Sequence, residues 1–331
     1  MSRLDRSPWT SAALAIAALT FGLAALTPAR AHAYCRMVTG DGRQPADFSA
    51  CAPLATEQDH YLFWSHRCSE LSISSALPPR SLTIAQVQDV FRTAASTWED
   101  IDCGGGLAAS PRFHIDVLDG TNACTRAGHN GRGNNVSSVM FVQDGNDWAR
   151  TRGWSPIAFA VTLAWHLEST GEIVDVDMEI NESRGVWTIC DPSGCVDGGS
   201  TCPVSGCGRD GGPVDLQNVV THELGHYFGI GHTTADHPDA TMYASAQFGE
   251  LTMRDLSTDD VSAICDTYPE GSLPETCDPT PAGGLALDCQ SHDCGCGVPG
   301  SGSSGDRAPW IVALALAAIS AGRIARRRAR R

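Results

Sequence analysis

His222-Glu223-Leu224-Gly225-His226-Tyr227-Phe228-Gly229-Ile230-Gly231-His232 is the stretch from which the rest of this 331-residue chain is read. Its spacing is H-E-x-x-H followed by x-x-G-x-x-H. On an α-helix, His222 and His226 lie one turn apart and point the same way. Two imidazoles so placed can grip one Zn²⁺, with Glu223 carried beside the metal rather than onto it. Gly229 can take the left-handed conformation that ends a helix, so the chain reverses and His232 returns as a third ligand. Three histidines leave the fourth position of a tetrahedral zinc open, the mark of a catalytic site. The bland alternative is a core helix that happens to hold histidines; the glycine and third histidine at fixed offsets argue against coincidence. Asp215 suits the N-cap after the Gly211-Gly212-Pro213 breaker. Val219, Val220, Leu224 and Phe228 form an apolar stripe to seat the helix.

The pattern resembles the metzincin clan of zinc endopeptidases, whose members carry a methionine in a tight turn beneath the metal. In Asp239-Ala240-Thr241-Met242-Tyr243-Ala244 the matching residue is Met242, which the resemblance makes an apolar floor and not a ligand. Within the clan the chain is most similar to the matrixin type, through Thr221–His226 and Thr241-Met242-Tyr243. Ser257-Thr258-Asp259-Asp260-Val261 resembles the start of that family's last helix, with Ser257 as the cap and Pro269 as the stop. The stretch from Ile84 to Ile101 has helical periodicity and resembles its first helix. Together the similarity covers residues 60–270. It implies an α+β, metzincin-like zincin fold: a twisted mixed sheet, an active-site helix, and a small irregular lobe after His232. Two features depart from the family. Ala244-Ser245-Ala246 stands where matrixins have a proline that walls the substrate pocket. The histidine of their second, structural zinc is missing from the strand at Gly171–Asn181, so one zinc is expected.

In that strand Val174, Val176, Met178 and Ile180 alternate with Asp175, Asp177, Glu179 and Asn181, a period of two with one buried face. The row Asp175, Asp177, Glu179 is open to two readings, a Ca²⁺ site or a solvated face that discourages edge pairing. Ala158 to Leu167 reads as the partner strand, with Ser169-Thr170-Gly171 as the turn. The resemblance places this hairpin beside the cleft, where an edge strand pairs with a substrate backbone by β-augmentation.

The ends differ from the body. Arg3 and Arg6, the apolar run Ala12–Leu26 and Ala31-His32-Ala33 read as an export signal over 1–33. Residues 34–270 form the catalytic region and 271–305 a Gly/Pro/Ser/Cys-rich linker, open to stapling. In 306–331 an apolar run shorter than a comfortable membrane span ends in an arginine cluster. With Cys294-Gly-Cys296-Gly before it, this tail resembles a myxobacterial-type C-terminal sorting tail. That resemblance implies transient membrane contact, removal by a processing protease, and surface display or release. The rival reading is a permanent membrane helix. Fourteen cysteines in an exported chain argue for disulfides, with pairings left open. Cys190, Cys195, Cys202 and Cys207 read as a stapled loop; the rival is a second metal cluster, for which the C-x4-C-x6-C-x4-C spacing is looser than zinc ribbons prefer.

Between Tyr34 and Gly305 stand thirteen arginines, no lysine and thirty-six acidic residues, a net charge of about −23 with histidines neutral. Such a surface repels nucleic acid and anionic membranes. It would favour neutral or basic substrates by steering but identifies none; the resemblance implies a polypeptide substrate, met by a monomer. Motif and resemblance together point to peptide-bond hydrolysis with Glu223 as general base. Two other classes stay open: a non-catalytic zinc-binding surface module of the same fold, and a hydrolase of another amide or ester. A zinc-blocking propeptide of the kind common in matrixins has no room before Trp64, which leaves the control of activity unassigned.

Overall fold

The computed structural model describes residues 33–40, 44–104, 111–131, 133–191, 196–197, 200–201, 212–281, 283–289 and 314–317. Residues 1–32 of the export signal, Cys195, Cys202, Cys207, Cys294, Cys296 and the terminal arginines lie outside the described residues. Among the described residues no helix is long and apolar enough to cross a membrane.

The fold is α+β. Strands β1 (Cys35–Arg36), β2 (Cys68–Ser74), β3 (His114–Asn122), β4 (Ser138–Val142), β5 (Ala158–His166) and β6 (Ile173–Asn181) surround the first helix, α1 (Ile84–Glu99). There follow β7 (Val186–Thr188), β8 (Val196–Asp197), β9 (Ser200–Thr201), β10 (Pro213–Asp215), helix α2 (Leu216–Tyr227), β11 (Ile230–Gly231), helix α3 (Thr258–Thr267) and β12 (Leu314–Ala317). One mixed sheet has the order β12-β5-β6-β4-β2-β3. β5 and β6 form the antiparallel hairpin, while β6, β4, β2 and β3 run parallel to one another.

Each long helix starts where its local chemistry says it should. Thr83 opens α1 with a capping box to Gln86, and Ser257 opens α3 with one to Asp260. Asp215 caps α2 by accepting from the Asn218 amide at 2.8 Å. The same carboxylate accepts from the Cys190 amide at 2.9 Å and from Arg254. α1 buries Val87, Val90, Phe91, Ala94, Ala95 and Trp98 in the core that also takes Val219, Val220, Leu224 and Phe228 of the second helix region. The Trp98 indole N–H donates to the Thr221 carbonyl at 2.8 Å, fixing the two helices against each other. At the end of α2, Trp64 Nε1 donates to the Tyr227 carbonyl and the Tyr268 hydroxyl to that of Phe228, both at 2.8 Å. Carbonyls that a helix end leaves unpaired are thereby satisfied.

The acidic row of β6 is not the solvated face that was one of its two expected readings. Asp175, Asp177 and Glu179 are buried, so the strand has two covered faces and neither is solvated. Donors from the 127–138 stretch and from aromatic side chains cover the charges. Asp177 accepts from the Gly128 amide (2.8 Å), the Ser138 amide (3.0 Å) and Trp165 Nε1 (3.1 Å). Glu179 takes the Ala127 amide (3.2 Å), Trp154 Nε1 (2.6 Å) and Arg152. His129 and the Ser137 hydroxyl flank Asp175 at 3.2 and 3.3 Å. Each carboxylate of the row thus accepts from protein donors, and among the described residues the group of side chains that could hold a metal ion is that of the three histidines.

Glu70 faces this row from β2, with its Oε1 accepting from the Ser137 amide at 3.0 Å. Burial, reinforced by Asp175, pushes its carboxyl from the usual 4.5 up to about 8. The folded chain therefore holds a proton there that the unfolded chain releases above about 4.5. Stability falls as pH rises from about 4.5 through about 8. Glu70→Gln keeps the acceptor and removes the ionisation. It is expected to match wild type near pH 4.5 and to exceed it by about 1–3 kcal/mol at pH 8.5, read from denaturant melts at both pH values. An equal gain at both would exclude this cause.

The stretch expected to be a linker from 271 onward is bound to the body as far as Cys289. Cys68 pairs with Cys277 and Cys124 with Cys289, while Cys35–Cys51 and Cys103–Cys265 complete the described pairs. Cys190 is disulfide-bonded as well. Main-chain bonds add to the staples, from the Ala123 amide to Leu287 O (2.8 Å) and from the Ala286 amide to Asn135 O (2.9 Å). A composition without hydrophobic periodicity could not reveal this, because disulfides and a few backbone bonds do the ordering. Ending the chain at residue 270 strands Cys68 and Cys124. Each lost bridge is expected to cost about 2–5 kcal/mol, since each closes a loop of more than 160 residues. A thermal melt of that shortened chain within 2–3 °C of the full chain would contradict this.

Candidate metal centre

His222 and His226 lie on the inner side of α2, and Gly229 supplies the reversal. Its φ is +80°, and a Cβ there would lie 2.6 Å from the Leu62 carbonyl oxygen. The chain then forms β11, which pairs with β1, and delivers His232. The three side chains each present a ligand atom, all within 4.8 Å of one another. Their ring centroids stand 4.8–5.2 Å apart.

Two of the rings are oriented by their rear nitrogens. His222 Nδ1 bonds to the Thr241 carbonyl at 2.6 Å and His226 Nδ1 to the Ile230 carbonyl at 2.7 Å. A carbonyl only accepts, so in both rings the proton sits on Nδ1 and the Nε2 lone pair faces inward. His232 is flanked edge-on by Phe48, with centroids 5.1 Å apart. The Nε2 atoms of His222 and His226, both ring nitrogens of His232 and Glu223 Oε1 are buried without a hydrogen-bond partner. Such atoms are costly unless something satisfies them. Convergent imidazole lone pairs are what a Zn²⁺ ion takes, so the residues fit that metal.

The electrostatics agree. Burial and the neighbouring His226 hold His222 well below its usual 6.5. Burial pulls His226 down to about 4, and burial with both neighbours depresses His232. All three are neutral near pH 7 and keep their lone pairs for a metal. Glu223 is pushed up to about 8 by burial, opposed by the Thr162 hydroxyl, which donates to its Oε2 at 2.5 Å. A cation at the histidines would favour the carboxylate.

Met242 is fully buried in the turn after His232, and the Thr233 amide donates to its carbonyl at 2.9 Å. It lies against Gly225: a Cβ on that glycine would come within 2.1 Å of the Met242 sulfur. Asp260, the N3 residue of α3, holds the turn from below. Its carboxylate accepts from the amides of Thr241 (2.8 Å) and Met242 (3.1 Å) and from Ser257. The carbonyl that orients His222 is thus fixed by a side chain eighteen residues beyond Met242.

Three contributors were not singled out in the sequence. Thr162, the lone hydroxyl in the apolar run Ala158–Leu163, carried a visible signal. Asp260 was noted only within a helix start. The 44–48 segment carried none: there the Gln44 amide donates to the His232 carbonyl at 2.9 Å and Phe48 abuts its ring.

The family model of the matrixins matches residues 133–269, a span from β4 to the end of α3 that contains all three histidines, Glu223, Met242 and Asp260. The matrixin family is one of zinc-dependent metalloendopeptidases. No curated protein matches the chain.

Proposed function

We propose that this matrixin-type region is a zinc-dependent endopeptidase, with His222, His226 and His232 as the metal ligands and Glu223 as the general base. The observation that carries the reading is the set of inward-facing ring nitrogens, buried and unpartnered around one point with Glu223 beside them. A bound Zn²⁺ supplies Lewis acidity to a water and to the scissile carbonyl. Glu223 takes the water's proton through Oε1 and passes it to the leaving amine. Thr162 keeps the carboxylate in place through Oε2. Met242 and Asp260 act behind the ligands: one fills the space under α2, the other fixes the Thr241 carbonyl on His222. The outer edge of β5, the strand that bears Thr162, is the place for an extended polypeptide to add a strand. The acidic surface favours neutral or basic substrates by steering.

The same proposal extends to the ends of the chain. Residues 1–33 direct export, consistent with the disulfides of the body. The 306–331 tail is a sorting element, removed near Cys294 and Cys296, after which the enzyme is displayed or released.

The test is hydrolysis of a mixed peptide library by the full chain, with new termini read by mass spectrometry. Cleavage inside the peptides, lost on chelation and restored by zinc, is expected. Cleavage that persists in the metal-free chain would overturn the proposal. Stoichiometric zinc without any cleavage would turn it toward a binding module.

A further inference from the structure

The sheet does not end at β5. Strand β12, Leu314–Ala317, lies antiparallel on its outer edge, with Leu314 opposite Thr162, Ala315 opposite Val161 and Ala317 opposite Ala158. This edge is next to the candidate centre, because Thr162 donates to Glu223 and the pairing runs through that residue. A second observation concerns access. His222, Glu223 and His226 are 0 % exposed and His232 is 1 % exposed. The β5 edge beside this enclosed base already carries a strand, so an extended polypeptide has to displace β12 to pair there.

We propose that the strand Leu314–Ala317 occupies the β5 edge in place of a polypeptide substrate and holds the site closed, so that removing the tail activates the enzyme. The inference rests on the reading of β5 as the substrate-binding edge. Its chemistry is that of any strand addition. Main-chain N–H and C=O groups of an edge are unpaired until another strand arrives, and pairing needs little from the side chains. The Leu-Ala-Leu-Ala sequence contains no proline, so every residue keeps the amide a ladder can use. Only residues 290–313 separate it from the disulfide at Cys289, so it competes at an effective concentration of about a millimolar. A free peptide substrate at tens of micromolar meets that competitor at every encounter. The same apolar run would leave β5 on entering a membrane, and processing near Cys294 and Cys296 would remove it.

The experiment uses the full chain in detergent-free buffer, wild type beside the double variant Ala315→Pro/Ala317→Pro. Proline lacks the amide a ladder uses and disfavours a paired strand, and neither position belongs to the candidate centre. Two quantities are read: hydrogen exchange of the β5 amides, and kcat/KM on a peptide cleaved in the library. The proposal predicts faster β5 exchange in the variant and kcat/KM raised by about tenfold or more. Unchanged β5 exchange would overturn it, and so would faster exchange with unchanged, measurable kcat/KM. Faster exchange with no hydrolysis in either protein would uphold the strand's position and reject the peptidase reading.

Discussion

Glu223→Gln is expected to lower kcat by about 10²–10⁴-fold while the chain still binds one zinc. The glutamine has the same shape, and its carbonyl oxygen can accept from Thr162 as the carboxylate does. It touches none of the three rings, whose orientations come from Thr241, Ile230 and the turn at Gly229. What it lacks is basicity. An oxygen that cannot take a proton leaves the water unactivated and the amine a poor leaving group. Peptide hydrolysis and metal content measured on the same sample separate the two effects. Full hydrolysis with zinc bound would show that another group is the base. Loss of zinc together with activity would show that Glu223 helps to hold the metal.

Gly225→Ala is expected to destabilise the fold by about 1–3 kcal/mol and to weaken zinc binding, against the helix preference for alanine. An exposed helical glycine changed to alanine gains up to about 1 kcal/mol. Here the new methyl group meets the Met242 sulfur at 2.1 Å, its terminal carbon at 2.8 Å and Trp98 at 3.0 Å. Trp98 is fixed by its bond to the Thr221 carbonyl, so the methionine must give way. Met242 belongs to the turn whose Thr241 carbonyl orients His222, which transmits the strain to the ligand. Met242→Ala alone opens a cavity and costs about 2–5 kcal/mol. In the double variant the new methyl fills part of that space. The two changes together should therefore cost at least 1 kcal/mol less than their sum, as read by a double-mutant cycle of denaturant melts. Additive costs would mean that the glycine and the methionine do not share this contact.

What was legible in the sequence was local. The helix of the H-E-x-x-H motif, its Asp215 cap, the glycine that reverses the chain and the Ser257 cap all depend on residues within one or two turns, and each lies where its chemistry places it. The 158–181 hairpin was legible for the same reason, through alternation and a Ser-Thr-Gly turn. The burial of the acidic row was not legible, because its environment comes from elsewhere in the chain. Nothing within Val174–Asn181 tells that the amides of Ala127, Gly128 and Ser138 will meet those carboxylates. Stapling of residues 271–289 was open in the sequence, but its partners were not legible, since Cys68 and Cys277 are separated by 209 positions. Gly225 lay inside the motif, yet its role depends on a methionine seventeen residues later that packs where a side chain would begin.

The most direct test of the central claim, that one metal ion held by these three histidines carries the hydrolysis, is a zinc titration of the metal-free full chain with peptide cleavage as the readout. Wild type is predicted to gain activity in proportion to added zinc and to level off at one equivalent per chain. His232→Ala should show neither the rise nor the break, because a pair of histidines on one helix holds zinc too weakly. Activity independent of added zinc, or a His232→Ala chain that titrates as wild type does, would contradict the account.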